Sequence, residues 1–177
     1  DTCSGADIRS LSENTDKCSL EDVVMGELGW FRYSAGIETM TLAADSGDFF
    51  LLAGGSSPWR LLEVRIWQRA LTDVTMDSIL LHRGTGGAGG GGITAFEYTT
   101  AGPAATVTAT SLPTTDVSSD DWRYRMGWNL LQEVHFLPTP ELWVPFKAND
   151  DLGITRATTT AHANVGIYVV WEEYIGS

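Results

Sequence analysis

The stretch "WRLLEVRIWQ", from Trp59 to Gln68, indicates the fold of this chain most directly. Leu62, Val64 and Ile66 fall on one side of an extended backbone, and Glu63, Arg65 and Trp67 fall on the other. Side chains alternate between the two faces of a β-strand, so a period of two predicts a strand with one buried face.

The same alternation recurs on both sides of this stretch. The closing segment, "NVGIYVVWEEYIG", places apolar residues on one face and mixed residues on the other. Other short segments rich in β-branched and aromatic residues include "GDFFLLAGG", "DVTMDSILLHR", "AATVTATSL" and "LGITRATTTA". About eight to ten strands at intervals of about 8–12 residues are typical of a sandwich or barrel. Prolines confine "TPELWVPF" to a sheet edge or an extended loop.

These segments predict an all-β protein. Parallel strands need crossover connections, usually helical, and no long amphipathic helix separates the segments. The sequence therefore predicts an antiparallel β-sandwich over residues 28–177. We favour a jelly-roll-like topology, although an immunoglobulin-like sandwich has a similar sequence pattern.

Residues 1–27 differ from the rest, being polar and thinly apolar. "SLSE", from Ser10 to Glu13, matches a helix capping box. We expect an N-terminal arm or clasp that packs on something else. Cys3 and Cys18 lie in this arm. They form a small disulfide loop in an oxidising compartment or remain two free thiols, and the sequence leaves both alternatives open.

The charge of the chain bears on its partners. Its 177 residues suit one domain, or one domain with an arm. Asp and Glu number 23 against 11 Lys and Arg, a net charge of −12. Such a charge repels a nucleic-acid backbone, so we expect no nucleic-acid partner. No apolar run is long enough for a transmembrane helix, and we expect no membrane partner.

The glycine-rich stretch "GTGGAGGGG", residues 84–92, has the look of a phosphate-binding loop. A P-loop needs Lys and then Ser or Thr at the start of a helix, whereas Ile93, Thr94, Ala95 and Phe96 follow here. The following segment reads as strand, so no helix N-terminus is available for a phosphate. We predict a mobile surface loop between two strands and no cofactor.

The titratable residues show no catalytic constellation. His82, His135 and His162 lie far apart in the sequence, and no serine sits in G-x-S-x-G. Glu172 and Glu173 are adjacent in a predicted strand and should point to opposite faces, so they cannot form a glycosidase pair by themselves. We expect no enzymatic activity and no metal site.

Asn149, Asp150 and Asp151 in "KANDDLG" predict a turn whose side chains bond the local backbone. The same three residues offer oxygen ligands for a cation, although the spacing of an EF-hand is absent. The sequence favours the turn and keeps the three as candidates for interaction.

Aromatic residues cluster at Trp122, Tyr124 and Trp128. In a strand these residues, together with Met126, share one face. That face lines the core or a subunit contact, or it forms a platform on which sugar rings stack.

From residue 49 to the end, the layout of the chain resembles small virion proteins of tailed bacteriophages, of the head-decoration and minor structural type. The match consists of "PWRLLEVRIWQ", "LLHRGTGGAGGGG", "TTAGPAATVTATSLPTT", "FLPTPELWVPF", "DDLGITRATTTAHA" and "GIYVVWEEY", in that order. The resemblance implies a non-catalytic β-sandwich subunit on a particle surface, often trimeric. It also implies contacts made by loops and an N-terminal arm, and it carries over no active-site residues.

Two functions follow as hypotheses. The first is a capsid decoration or cement subunit on the surface of a virion. It would form a homo-oligomer, with a trimer favoured, and bind the major capsid protein or another virion protein. The second is a carbohydrate-binding or adhesion module of the tail-fibre or cell-surface type, acting through Trp122, Tyr124 and Trp128 and the turn at Asn149 to Asp151. A cupin-like enzyme on a jelly roll is a third, weaker option.

Overall fold

The computed structural model describes residues 29–43, 47–68, 76–98, 102–129, 132–156 and 161–175. The strands belong to one compact unit, residues 30–176. The predicted arm, with Cys3 and Cys18, lies outside the described residues. Its boundary and its cysteine chemistry therefore stay predictions.

The described residues form twelve β-strands and one short 3-10 helix. The strands are β1 (Trp30–Leu42), β2 (Asp48–Ala53), β3 (Trp59–Gln68), β4 (Met76–Thr85), β5 (Gly91–Ile93), β6 (Phe96–Glu97), β7 (Thr108–Ser111), β8 (Ser118–Asn129), β9 (Val134–Phe136), β10 (Val144–Phe146), β11 (Asp151–Arg156) and β12 (His162–Tyr174). The 3-10 helix, Pro140–Leu142, is far too short to cross a membrane, and the described residues contain no helix long and apolar enough to do so.

The strands form two sheets whose pairings are all antiparallel, as the sequence predicts. Sheet A has the order β10-β3-β12-β1-β6, and β9 also pairs with β3. Sheet B has the order β5-β7-β2-β11-β4-β8. The alternation between polar and apolar residues therefore produces the antiparallel sandwich that was expected.

The strand order identifies the topology as a jelly roll. When β5, β6 and β7 are set aside, sheet A reads β9/β10-β3-β12-β1 and sheet B reads β2-β11-β4-β8. Successive strands cross from one sheet to the other, except at the step from β4 to β8. This is the pairing of two Greek keys that defines a jelly roll, and it matches the favoured topology. The three short strands lie within residues 86–117, which we call the β4–β8 connection.

A continuous apolar core fills the space between the sheets. Val64 and Ile66 of β3 and the apolar face of β12 are buried there. Trp59 stacks on Phe146 with ring centroids 3.9 Å apart. Burial of each large apolar side chain stabilises the fold by about 1.5–3 kcal/mol, so this core provides the main favourable term.

The predicted pattern of β3 is wrong at Leu62, which does not share the face of Val64 and Ile66. The pairing of β3 with β12 shifts register between Val170 and Trp171, because Val170 pairs with Glu63 and Trp171 pairs with Leu61. Leu62 is the extra residue of this β-bulge. Leu61 therefore takes the core position, and Leu62 leaves the face of Val64 and Ile66 to line a cavity on the other side of the sheet.

The glycine-rich stretch also differs from its prediction as a loop. Gly84 lies within β4, and Gly91 and Gly92 lie within β5. Between them, Ala88 exchanges backbone hydrogen bonds with Thr115 and Gly89 has a φ of 76°, which favours glycine. Several of these glycines thus allow close backbone packing. A glycine-rich sequence is expected both for such packing and for a loop, so the sequence alone does not distinguish the two.

Candidate binding site

Tyr124 and Trp128, the described aromatic residues of the β8 cluster, lie on the core side of sheet B. Tyr124 pairs with Leu81 and Met126 pairs with Ile79, and directly opposed residues share a face. Leu81 and Ile79 are both core residues. The predicted common face of the cluster therefore exists for its described members, but it points inward.

Trp128 lies in the core, which was one of the alternatives for this face. Its side chain is fully buried, and its indole N–H donates a hydrogen bond of 3.2 Å to the carbonyl of Gln132. Tyr124 is 44% exposed and its ring lies 5.0 Å from that of Phe136. The side chain of Trp122 lies outside the described residues. Because Trp128 is enclosed, it cannot stack on a ligand, and Tyr124 is the exposed described aromatic of the cluster.

The turn at residues 149–151 forms hydrogen bonds with the backbone at Gly55 and Lys147. Asn149 has a φ of 65°, and its N–H donates to the carbonyl of Gly55 over 2.9 Å. The carboxylate of Asp150 accepts a hydrogen bond from the Lys147 N–H over 2.9 Å. The Asp150 carboxylate thus bonds the local backbone, as predicted for this turn, whereas Asn149 contacts Gly55 through its own backbone.

Asp151 is buried and joins two separate loops. One carboxylate oxygen accepts the Gly54 N–H over 2.9 Å, and the other accepts the Gly87 N–H over 3.0 Å. Burial raises the pKa of Asp151 above its usual value, whereas these backbone hydrogen bonds act in the opposite direction. Asp151 thus acts as a structural acceptor.

Replacement of Asp151 by asparagine should lower the free energy of unfolding by about 1–2 kcal/mol. The new NH2 group would face one of the two backbone N–H donors, so that donor would lose its partner. Urea denaturation followed by tryptophan fluorescence measures the change. Asp150→Asn is the matched control and should change stability by less than about 0.5 kcal/mol, because asparagine supports the same turn. Equal losses in the two variants would contradict the role given to Asp151.

Two further buried carboxylates have similar roles. Glu173 accepts hydrogen bonds from the N–H groups of Thr106 and Val107, over 2.8 and 3.0 Å. Asp48 accepts one from the Val117 N–H over 2.8 Å and contacts the His82 ring over 2.7 Å. Both carboxylates therefore fix parts of the β4–β8 connection.

The outer face of sheet A carries a groove that the sequence did not predict. Leu62 and Val170 form an apolar floor between two walls. Tyr98, just after β6, stands on one side, and the segment 137–140 with Trp143 stands on the other. This cavity has a volume of 410 Å³, and an adjoining one of 640 Å³ shares Glu63 and Tyr98 with it. We call the two together the sheet A groove.

One end of the groove is held by ion pairs and stacked rings. The carboxylate of Glu172 accepts hydrogen bonds from Arg32 and from Arg60, each with a shortest distance of 2.6 Å. The Arg60 guanidinium lies 4.2 Å from the ring centre of Trp30 and 4.3 Å from that of Trp143. Cation–π contacts on both faces orient Arg60, so this end is preorganised.

The other end carries a second polar cluster. Glu63 accepts a hydrogen bond from Arg65, which raises the pKa of that guanidinium further above its usual range. The ring of His135 lies 2.9 Å from the same Glu63 oxygen. Glu133 lies 3.8 Å from Arg65. Both carboxylates of this cluster therefore lie beside a basic side chain.

The hydroxyl of Tyr98 lies 2.8 Å from that of Tyr168 on β12, the strand that also supplies the floor residue Val170. Burial, followed by this hydrogen bond, raises the pKa of Tyr98 to about 12. The hydroxyl is therefore neutral at physiological pH and able to donate. The ring itself is 55% exposed.

The sequence carries only a weak signal of the groove. Val170 falls on the same face of the closing segment as Tyr168 and Glu172, but a single apolar residue on a polar face is common and does not by itself locate a site. The contribution of Tyr98 had no such signal, because β6 is a two-residue strand that is recognisable only by its pairing with β1.

Among the described residues, no three His, Cys, Asp or Glu side chains come together as a metal-binding group. No protein-family model and no curated protein matches the chain.

Proposed function

We propose that this protein is a structural subunit of a virus particle, of the capsid-decoration type, which binds the outer shell and stabilises it. Jelly rolls occur in viral capsid domains, in lectins and in cupins, so the fold is compatible with this role without selecting it. The resemblance of the chain to small virion proteins of tailed bacteriophages supports a virus particle as the setting.

The proposal is carried by three buried carboxylates that hold the β4–β8 connection at separate points. Asp151 binds the start of the β4–β8 connection at Gly87, Glu173 binds its middle at Thr106 and Val107, and Asp48 binds its end at Val117. The points of the connection that are held in advance lose little conformational entropy on binding a neighbour. This arrangement suits a rigid subunit that contacts a shell through its loops.

The charge supports an external position. The net charge of −12 disfavours contact with a packaged genome and suits the outside of a shell. A closed trimer would present several copies of the same contact to the shell, and avidity would then multiply weak individual contacts.

The test uses particles from a culture that expresses the chain. Density-purified particles should contain the chain in a fixed ratio to the major shell protein by mass spectrometry, and cryo-electron microscopy should place it on the outer surface. Light scattering of the isolated full chain should give the mass of an oligomer. A monomer that is absent from purified particles would contradict the proposal.

A further inference from the structure

The sheet A groove has the shape of a site for an extended ligand. Its two cavities share Glu63 and Tyr98 as lining residues, so they lie side by side on sheet A, between Trp143 and Trp67, and we call them together the trough. The two depressions, of 410 and 640 Å³, are open to solvent, which suits a ligand that lies along the surface with one side exposed. The trough lies on a strand-built floor, which gives it a fixed form.

The surface of the trough combines an exposed ring with apolar floor residues. Tyr98 stands at the junction of the two cavities with more than half of its side chain exposed. Leu62 and Val170 lie beneath. Aromatic faces and small apolar patches pack well against the C–H faces of pyranose rings, whose edges remain polar.

The charges of the trough argue against charged ligands. Its charged lining residues are Arg32, Arg65, Glu63 and Glu133, two of each sign. Arg32 is bound to Glu172 and Arg65 to Glu63, so neither cation lacks a counter-charge. Polyanions such as nucleic acids need an excess of positive charge, and strongly basic peptides need an excess of negative charge.

The remaining hydrogen-bonding groups suit hydroxyl ligands. Arg32 and Arg65 offer N–H donors, Glu63 and Glu133 offer acceptors, and the hydroxyls of Tyr98 and Tyr168 can do both. A sugar hydroxyl also donates and accepts, so it can use all three kinds of partner.

We infer that the sheet A groove binds a neutral oligosaccharide, with a sugar ring stacked on Tyr98. This site differs from the β8 cluster, whose Trp128 is buried. The inference rests on the groove alone and is independent of the proposed place in a virus particle. The particle experiment and the glycan experiment can fail separately: a particle subunit need not bind a glycan, and a glycan-binding protein need not belong to a particle.

The first measurement applies the full-length chain to an array of neutral and acidic oligosaccharides. We expect retention on one or more neutral, extended glycans and weaker retention on their sulfated or sialylated counterparts. Isothermal titration calorimetry with the best neutral oligosaccharide then gives the Kd.

Variants of two exposed tyrosines locate the site. Tyr98→Ala should raise the Kd by at least about tenfold, which corresponds to about 1.4 kcal/mol. Tyr98→Phe keeps the ring and should stay within about threefold of the natural chain, since the stacking contact remains. Tyr124→Ala is the matched control on sheet B, with a comparable exposure of 44%, and should leave the Kd unchanged. Thermal melting of each variant confirms that it is folded.

Several outcomes would overturn the inference. Failure to retain any neutral oligosaccharide is one, and preferential retention of acidic glycans is another. Equal binding by the natural chain and a folded Tyr98→Ala variant would remove the groove from consideration. Loss of binding in Tyr124→Ala alone would assign the site to β8 instead.

Discussion

Replacement of Glu173 by glutamine should lower the free energy of unfolding by about 3 kcal/mol, because the buried carboxylate serves several donors at once. One oxygen accepts the N–H and the hydroxyl of Thr106, over 2.8 and 2.6 Å. The other accepts the Val107 N–H over 3.0 Å and the Trp171 indole N–H over 2.8 Å. An amide NH2 in place of either oxygen would face donors in a side chain that is fully shielded from water.

Urea denaturation at neutral pH measures this loss, and Glu97→Gln provides the control. Glu97 is an exposed glutamate of β6, so its amide should change stability by less than about 0.5 kcal/mol. Hydrogen exchange should also show faster exchange of the Thr106 and Val107 amides in the Glu173 variant. A Glu173→Gln variant as stable as the natural chain would mean that the β4–β8 connection is not held by this carboxylate.

Replacement of Gly84 by alanine should destabilise the protein by about 3 kcal/mol, at the upper end for overpacking. A Cβ at this position would lie 1.7 Å from the backbone carbonyl oxygen of Ser118 on the paired strand β8. A backbone atom within a sheet cannot rotate away as a side chain can, so the strands must separate.

Gly92→Ala is the matched control for this experiment. It belongs to the same glycine-rich stretch, but nothing lies within 4 Å of its hypothetical Cβ. Its effect on the urea midpoint should be small. Similar destabilisation by the two alanines would mean that the stretch requires flexible backbone throughout rather than close packing at particular positions.

The sequence predicted what depends on local alternation. Strand β3 has the bounds of the quoted stretch, and the apolar face of β12 is the one buried in the core. Glu172 and Glu173 point to opposite faces, as their adjacency required: Glu172 binds Arg32, whereas Glu173 binds Trp171. These features are encoded within a few residues and need no knowledge of partners.

What the sequence did not predict depends on contacts between distant segments. The bulge at Leu62 exists only in the register of β3 against β12, so a single strand pattern assigned it to the wrong face. The groove combines β3, β12, Tyr98 and the segment 137–143. The inward direction of the β8 aromatics likewise follows from the neighbour of β8 in sheet B.

The lengths of the outermost strands limit how copies of the molecule can join. Among the described strands, the sheets terminate in strands of two or three residues at β5, β6, β9 and β10, whereas β8 has twelve. The twelve-residue β8 and the part of β1 beyond its two-residue pairing with β6 are the long edges of the described sheets that could accept another strand. Two copies joined through the same edge would form a closed two-fold pair. Copies joined from β8 of one to β1 of the next would leave a further edge at each end, from which a filament could grow.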